Sequence, residues 1–184
     1  MSRPMRRGAL RAPLLIAAVL VVLAVSKGCG DEGASSEPSG PASAKVTHVV
    51  DGDTIDVRMP DGDDETVRYI GVDTPETVKP NTPVQCGGPK AHTVNEHLVA
   101  GRTVTLRFDA EHRDVYGRLL AYVYVPAPRT VAEPLFVNAE LVRRGLARTL
   151  TIPPNDSFAD LFARLAAAAG AAGRGLWGRC PLES

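Results

Sequence analysis

One nine-residue stretch, Arg68 to Glu76, restricts the local fold more than any other part of this sequence. From Arg68 to Val72 the side chains alternate between two faces, as they do along a β-strand. Pro75 then ends the strand pairing, because proline has no backbone N–H to donate. The stretch therefore predicts a strand that runs into a tight turn.

The turn also carries two carboxylates, Asp73 and Glu76, three residues apart. Carboxylates this close repel one another unless a cation or a proton lies between them. A hard cation that prefers oxygen ligands, such as Ca²⁺, fits this pattern best. A solvated turn after an edge strand is the alternative interpretation, since an aspartate before Thr-Pro is ordinary turn chemistry.

The rest of the chain contains short strands and a few helices. Alternating side chains predict strands at 45–50, 55–59, 65–72, 102–108 and 119–125, with a turn at 60–64 between the second and third strands. Apolar stripes and flanking proline or glycine residues predict helices at 89–100, 135–144 and 158–169. Five short antiparallel strands with a helix after the third predict an α+β fold, a five-stranded OB-fold-type β-barrel with three α-helices.

The first 29 residues are predicted to lie outside this fold as a signal peptide or lipoprotein signal. Four arginines precede an apolar run of 12 residues, Leu14 to Val25, which is shorter than the ~20 residues that span a bilayer. The pattern predicts export, with an uncleaved short anchor as the alternative. Gly28-Cys29 resembles a lipoprotein signal, in which Cys29 would carry the lipid. The protein would then be secreted or anchored to the outer face of the bacterial cytoplasmic membrane.

The segments that flank the predicted domain, 45–180, have no core-forming pattern. Residues 30–44 are rich in Gly, Ser, Pro, Ala and Glu and hold no large apolar side chain, so they predict a flexible linker. Residues 181–184 form a short tail. Cys86 and Cys180 are expected to form a disulfide, because two cysteines in an exported domain usually pair. Two buried thiols are the alternative.

The charge of the domain limits how it could hold a polyanion. The whole chain has a formal net charge of +0, and from residue 45 onward 16 Lys and Arg residues stand against 18 Asp and Glu residues. This balance excludes a basic field over the whole domain. Any nucleic acid would have to be held by individual arginines.

Five segments carry a resemblance to a known family. They are Asp51–Thr54, Arg68–Glu76, Asp114–Arg118, Asn138–Ala147 and Gly175–Trp177. Together, and in this order, they resemble the staphylococcal nuclease family over roughly residues 45–178. Each segment alone is a weak signal, whereas all five at similar spacing are specific.

The resemblance implies a calcium site. In the family a single Ca²⁺ is bound by two aspartates and one backbone carbonyl, which correspond here to Asp53, Asp73 and the carbonyl of Thr74. Asp51 would shape the loop that holds Asp53. Oxygen ligands with waters completing the shell are what Ca²⁺ prefers.

The resemblance also implies the roles of four further side chains in phosphodiester hydrolysis. Glu76 would position or deprotonate the attacking water. Arg68 and Arg118 would bind the phosphate oxygens, because the guanidinium group stays charged and can form two parallel hydrogen bonds. Tyr116 would contact the phosphate or the sugar. The implied products, from both DNA and RNA, carry 3′-phosphates, and the enzyme is expected to be a monomer.

Two features leave other interpretations open. The family often carries tyrosines that meet the nucleotide base, but residues 149–154 contain no aromatic side chain here, and stacking contributes about 1–3 kcal/mol per base. Arg68 and Arg118 could instead be charges at the barrel rim paired with nearby acids. The alternative function is a noncatalytic OB-fold module that binds nucleic acid at the cell surface.

Overall fold

A tight two-residue connection starts the fold. In the computed structural model, which describes residues 40–78, 83–127 and 133–180, strand β1 (Ala42–Asp51) turns back into β2 (Thr54–Arg58) through Gly52 and Asp53. A second turn around Gly62, whose φ is +99°, leads into β3 (Asp64–Tyr69). Glycine adopts this positive φ at little cost, so the predicted turn at 60–64 is confirmed.

A parallel pairing closes the barrel. β5 (Thr103–Arg107) pairs antiparallel with β1 and with β6 (Leu119–Val125). β6 then pairs in parallel with β3, so five strands form a closed ring. The predicted OB-type α+β barrel is confirmed, but the expectation that every pairing is antiparallel is wrong at this one contact. The parallel contact removes two free strand edges.

Four helices, one of them only four residues long, and three short strands accompany the barrel in the described residues. The further elements are β4 (Gly71–Asp73), α1 (Gly88–Val99), β7 (Leu135–Phe136), α2 (Val137–Arg143), β8 (Arg148–Leu150), α3 (Ala159–Ala171) and the four-residue α4 (Leu176–Arg179). The helix predicted from residue 135 begins at Val137, because Leu135 and Phe136 pair with β6. Residues 148–150, for which neither a strand nor a helix was predicted from the sequence, form β8 and pair with β4.

The amino-terminal boundary differs from the prediction. Ala42 to Ala44 pair with β5, and Ala44 is buried, so β1 starts three residues inside the predicted linker, 30–44. Cys29, the signal at 1–29 and the tail at 181–184 lie outside the described residues. Within the described ranges, no helix is long and apolar enough to cross a membrane.

Helix α3 fixes the strand that ends at the candidate site. Its Phe162 packs against Tyr122, Phe136 and Phe158 with ring centroids 5.7–6.4 Å apart. The same ring contacts Gly71 at the start of β4, where an added Cβ would lie only 2.3 Å from Phe162 Cε2. This close approach sets the position of β4 and therefore of Asp73 at its end.

Candidate active site

Asp53 is held in the connection between β1 and β2. Its Oδ2 accepts hydrogen bonds from the backbone N–H of Thr74 at 2.7 Å and from Thr74 Oγ1 at 2.9 Å. The backbone carbonyl of Asp53 accepts a bond from Tyr69 N–H. Asp53 and Thr74 are both buried, so the turn after β4 is joined directly to the turn after β1.

Arg68 links the two predicted metal-binding aspartates. Its Nη1 lies 3.1 Å from Asp53 Oδ2, and its Nη2 lies 2.9 Å from Asp73 Oδ1. Nη1 also donates to the carbonyl of Val72 at 2.8 Å. The Arg68 side chain is only 14% exposed, so a largely buried positive charge joins two carboxylates.

These carboxylates have the chemistry that a calcium ion requires. Asp53 Oδ2 and Asp73 Oδ1 both face one guanidinium group, so the fold brings two hard oxygen donors to a single positive charge. Among the described residues no cluster of three or more His, Cys, Asp or Glu side chains could cage a metal. A cation here would take its remaining oxygens from backbone carbonyls and water, as the predicted set with Thr74 requires.

Asn95 ties the loop of Asp51 and Asp53 to the core. Asn95 Nδ2 donates to the carbonyl of Asp51 at 3.0 Å, and Asn95 Oδ1 accepts from the Tyr69 hydroxyl at 3.0 Å. Asn95 lies on α1, and both it and Tyr69 are buried. The chain of hydrogen bonds therefore connects α1, the barrel and the loop that carries Asp51 and Asp53.

Removing the Tyr69 hydroxyl should destabilise the protein without changing its shape. We expect Tyr69→Phe to lower the free energy of unfolding by about 1–3 kcal/mol, because Asn95 Oδ1 loses its buried donor. Urea denaturation measures the change. Tyr116→Phe is the control, since that side chain is 82% exposed and surface changes usually stay within about 0.5 kcal/mol. Equal midpoints for both variants would contradict the assigned bond.

Glu76 is oriented by the backbone that follows it. Its Oε1 accepts hydrogen bonds from the N–H groups of Thr77 at 3.0 Å and Val78 at 2.9 Å. Its carboxyl group also meets that of Asp51. Burial raises the pKa of Asp51, and the contact with Glu76 adds to this, although hydrogen bonds from Thr77 and Gly52 act in the opposite direction. Two acidic groups therefore share one environment beside the aspartate loop.

Arg118 is held by the turn that precedes it. Asp114 Oδ1 accepts from the N–H groups of Tyr116 and Arg118 at 2.9 and 3.0 Å. Asp114 Oδ2 accepts from Arg118 Nε and lies 2.7 Å from Nη2. Gly117 completes the turn with a φ of +82°. Within the described ranges, Arg118 Nη1 has no hydrogen-bonding partner.

Arg68, Arg118 and Tyr116 line one cavity of about 360 Å³. The guanidinium of Arg118 lies 5.5 Å from the centre of the Tyr116 ring. Val115, which is 93% exposed, and Ile152, which is 60% exposed, border the same cavity. The cavity therefore combines two cations with exposed apolar surface, which suits a phosphate attached to a sugar and a base. Glu76 is not among its lining residues.

Comparison with known proteins identifies the family of this chain. A model of the staphylococcal nuclease homologue family matches residues 66–179. A thermonuclease of Staphylococcus intermedius is 43% identical over 145 residues, which cover 79% of this chain and 82% of that protein. The chain belongs to the staphylococcal nuclease family. A thermonuclease of Staphylococcus hyicus is 43% identical over 63% of this chain and 64% of that protein. The endonuclease YncB of Bacillus subtilis is 44% identical over 64% of this chain and 53% of its own length.

This staphylococcal nuclease homologue is therefore a nuclease, a hydrolase that acts on nucleic acid. The fold brings Asp53, Asp73, Thr74 and Arg68 into direct contact, and Arg68 also joins Arg118 and Tyr116 at the cavity. Glu76 contacts the Asp51 side chain and is not among the residues that line the cavity. Arg68 and Arg118 are both paired with acids, as expected if they were only charges at the barrel rim. Both also line the cavity.

No role was predicted from the sequence for two side chains of this homologue, Asp114 and Gln85. Asp114 orients Arg118, and the spacing of four residues with an intervening glycine is the local signal that could have revealed it. Gln85 bonds to the backbone of Glu76, and no local pattern indicates that contact. The predicted disulfide between Cys86 and Cys180 is confirmed, with Cα atoms 5.7 Å apart, so the alternative of two buried thiols is wrong.

Proposed function

We propose that this chain is an exported, calcium-dependent endonuclease that hydrolyses phosphodiester bonds in DNA and RNA and leaves 3′-phosphate ends. One observation carries the proposal. The carboxylates of Asp53 and Asp73 converge on one guanidinium, and that guanidinium shares a cavity with Arg118. A divalent cation and a phosphate group would therefore lie side by side.

The metal is assigned to Asp53, Asp73 and the backbone carbonyl of Thr74. When bound, Ca²⁺ supplies positive charge that neutralises the phosphate oxygens and polarises the phosphorus centre. The bonds from Thr74 to Asp53 Oδ2 keep that carboxylate oriented. Asp73 is more exposed than Asp53, so the site opens towards solvent on the side of Asp73.

The two arginines are assigned to the phosphate. Arg118 is fixed by Asp114 through Nε and Nη2, while about a third of its side chain remains exposed. Its Nη1 can therefore donate to a phosphate oxygen while the anchor stays in place. Arg68 is held by acids on one side and faces the cavity on the other. Because charge on the phosphate oxygens increases in the transition state, fixed donors stabilise that state more than the bound substrate.

Glu76 is assigned to the attacking water. A proton of the water passes to the carboxylate as the water oxygen bonds to phosphorus. The bond from phosphorus to the 5′-oxygen breaks, and the leaving 5′-oxygen takes up a proton from solvent to give a 5′-hydroxyl. The phosphate then remains on the 3′-oxygen. The N–H groups of Thr77 and Val78 hold one carboxylate oxygen, so the group is oriented before substrate arrives.

Export from the cytoplasm completes the proposal. The disulfide between Cys86 and Cys180 favours an oxidising location, because disulfides persist outside the reducing cytoplasm. The basic and apolar pattern at 1–29 favours passage across the membrane. The protein would be secreted or held on the outer face of the bacterial cytoplasmic membrane through a lipid on Cys29.

Removing calcium tests the metal assignment. We expect the full chain to cleave single-stranded DNA and RNA with Ca²⁺ and to lose activity by on the order of 10²–10³-fold with a chelator, because the metal neutralises the reacting phosphate. Asp53→Asn should weaken calcium binding measured by calorimetry, whereas Asp63→Asn, in the exposed turn after β2, should not. Products should carry 5′-hydroxyls, which polynucleotide kinase labels directly. A folded protein that binds Ca²⁺ and nucleic acid without cleavage would instead support the noncatalytic binding module.

A further inference from the structure

Gln85 forms hydrogen bonds with both the backbone N–H and the backbone carbonyl of Glu76. The N–H of Glu76 donates to Gln85 Oε1 at 2.8 Å, and the N–H of Gln85 donates to the carbonyl of Glu76 at 2.9 Å. The two residues are nine positions apart. A reciprocal pair of this kind fixes both the position and the orientation of the Glu76 backbone.

The next residues along the chain anchor Gln85 to the carboxyl-terminal helix. Cys86 forms the disulfide with Cys180, directly after α4. Gly87 lies against Leu176 of α4, where an added Cβ would be 2.2 Å from Leu176 Cδ2. Leu176 N–H in turn donates to the carbonyl of Gly145 at 2.8 Å. One covalent bond and one close contact therefore attach the segment of Gln85 to the folded body.

The start of α1 provides a second contact with the same backbone. An added Cβ at Gly88 would lie 2.8 Å from the carbonyl oxygen of Pro75 and 3.2 Å from that of Glu76. Gly88 N–H also donates to the carbonyl of Gln85 at 3.1 Å. The backbone at 75–77 therefore rests on the residues that follow Gln85.

The exposure of Gln85 explains why an anchor is needed. Gln85 and Cys86 are both exposed, and a hydrogen bond between exposed groups contributes little net free energy because water competes for each partner. Holding one partner in place removes much of the entropy that would otherwise be lost when the bond forms. The disulfide therefore makes two weak bonds effective.

We propose that Gln85 is a positioning residue for Glu76 and that the Cys86–Cys180 disulfide keeps Gln85 in the orientation that turnover requires. The inference rests on the proposed role of Glu76 as the base that activates water. A misplacement of the base lowers the rate of the chemical step and leaves substrate binding unchanged. The nuclease therefore reaches full turnover only in a compartment where the disulfide persists.

The test compares kinetics of the oxidised full chain and its variants on single-stranded DNA with Ca²⁺. Gln85→Leu removes the acceptor and should lower kcat roughly 10-fold with KM unchanged, the effect of about one hydrogen bond. Gln85→Glu keeps an acceptor oxygen and should retain kcat within about threefold of wild type. The Cys86→Ser/Cys180→Ser double variant should lower kcat at least as much as Gln85→Leu, whereas Val84→Ala, in the same exposed segment, should leave kcat unchanged.

Two further measurements separate positioning from general stability. In a Glu76→Gln background, Gln85→Leu should cause no additional loss, because the group that it positions is gone. Amide hydrogen exchange at Glu76 should accelerate in Gln85→Leu and in the cysteine double variant. An undiminished kcat in Gln85→Leu, or an equal loss in the Glu76→Gln background, would overturn the inference. If the wild-type chain cleaves nothing, the proposed function fails, and unchanged exchange in Gln85→Leu would separately refute the positioning contact.

Discussion

Glu76→Gln is expected to lower kcat by on the order of 10²–10⁴-fold, the range for loss of a general base. Glutamine has nearly the same shape and keeps an oxygen that can accept from Thr77 and Val78, so the turn should persist. The amide cannot take a proton from water at neutral pH. The loss should therefore appear in kcat and leave both calcium affinity and the unfolding midpoint close to wild type.

Steady-state cleavage of a labelled single-stranded DNA, with calcium titration by calorimetry, measures the effect of Glu76→Gln. Glu96→Gln is the matched control, because Glu96 is exposed on α1 and its change should leave activity within about twofold. Cleavage that is unaffected by Glu76→Gln would show that another group activates the water. Asp51, whose pKa is raised by burial and which contacts Glu76, would be examined next.

Arg118→Lys is expected to lower kcat by on the order of 10²–10³-fold, the range for loss of one fixed donor to a developing charge. Lysine keeps the charge but has no planar fork, so it cannot bind Asp114 and a phosphate oxygen in the same arrangement. The calcium ligands lie on other segments of the chain. Calcium affinity should therefore stay unchanged while turnover falls.

Single-turnover cleavage measures the chemical step of Arg118→Lys separately from product release. Arg58→Lys is the control, since Arg58 pairs with Asp64 in an exposed position and surface ion pairs contribute only about 0–1 kcal/mol. A rate for Arg118→Lys within about threefold of wild type would contradict the proposal that Arg118 binds the reacting phosphate in this cavity. A rate loss that comes with weaker calcium binding would place Arg118 in support of the metal site instead.

Local patterns predicted much of the barrel because alternation and turn chemistry act over only a few residues. The turn at 60–64 and the strands β2, β5 and β6 follow directly from such patterns. Element ends were less predictable. Leu135 and Phe136 continue a helical pattern, yet pairing with β6 places them in β7, because tertiary contacts outweigh helix propensity.

The types of chemical group in the candidate site were also visible in the sequence. Asp53, Asp73, Glu76 and two arginines occur in short motifs whose order resembles the family. Their pairing was not visible. The contact of Arg68 with both aspartates depends on how β3, β4 and the first turn meet in three dimensions.

The sequence alone was sufficient for most of the barrel strands and for the turn at 60–64, because these depend on residue type and short spacing. It also predicted the cysteine pairing, because the predicted domain contains only two cysteines, although they are 94 residues apart. Three features depended on the folded chain: the parallel closure of β3 on β6, the convergence of two carboxylates on Arg68, and the bonds from Gln85 to Glu76. Each joins residues through packing of separate elements, where closure of the barrel and burial set the distances. Local sequence patterns therefore do not predict these distances.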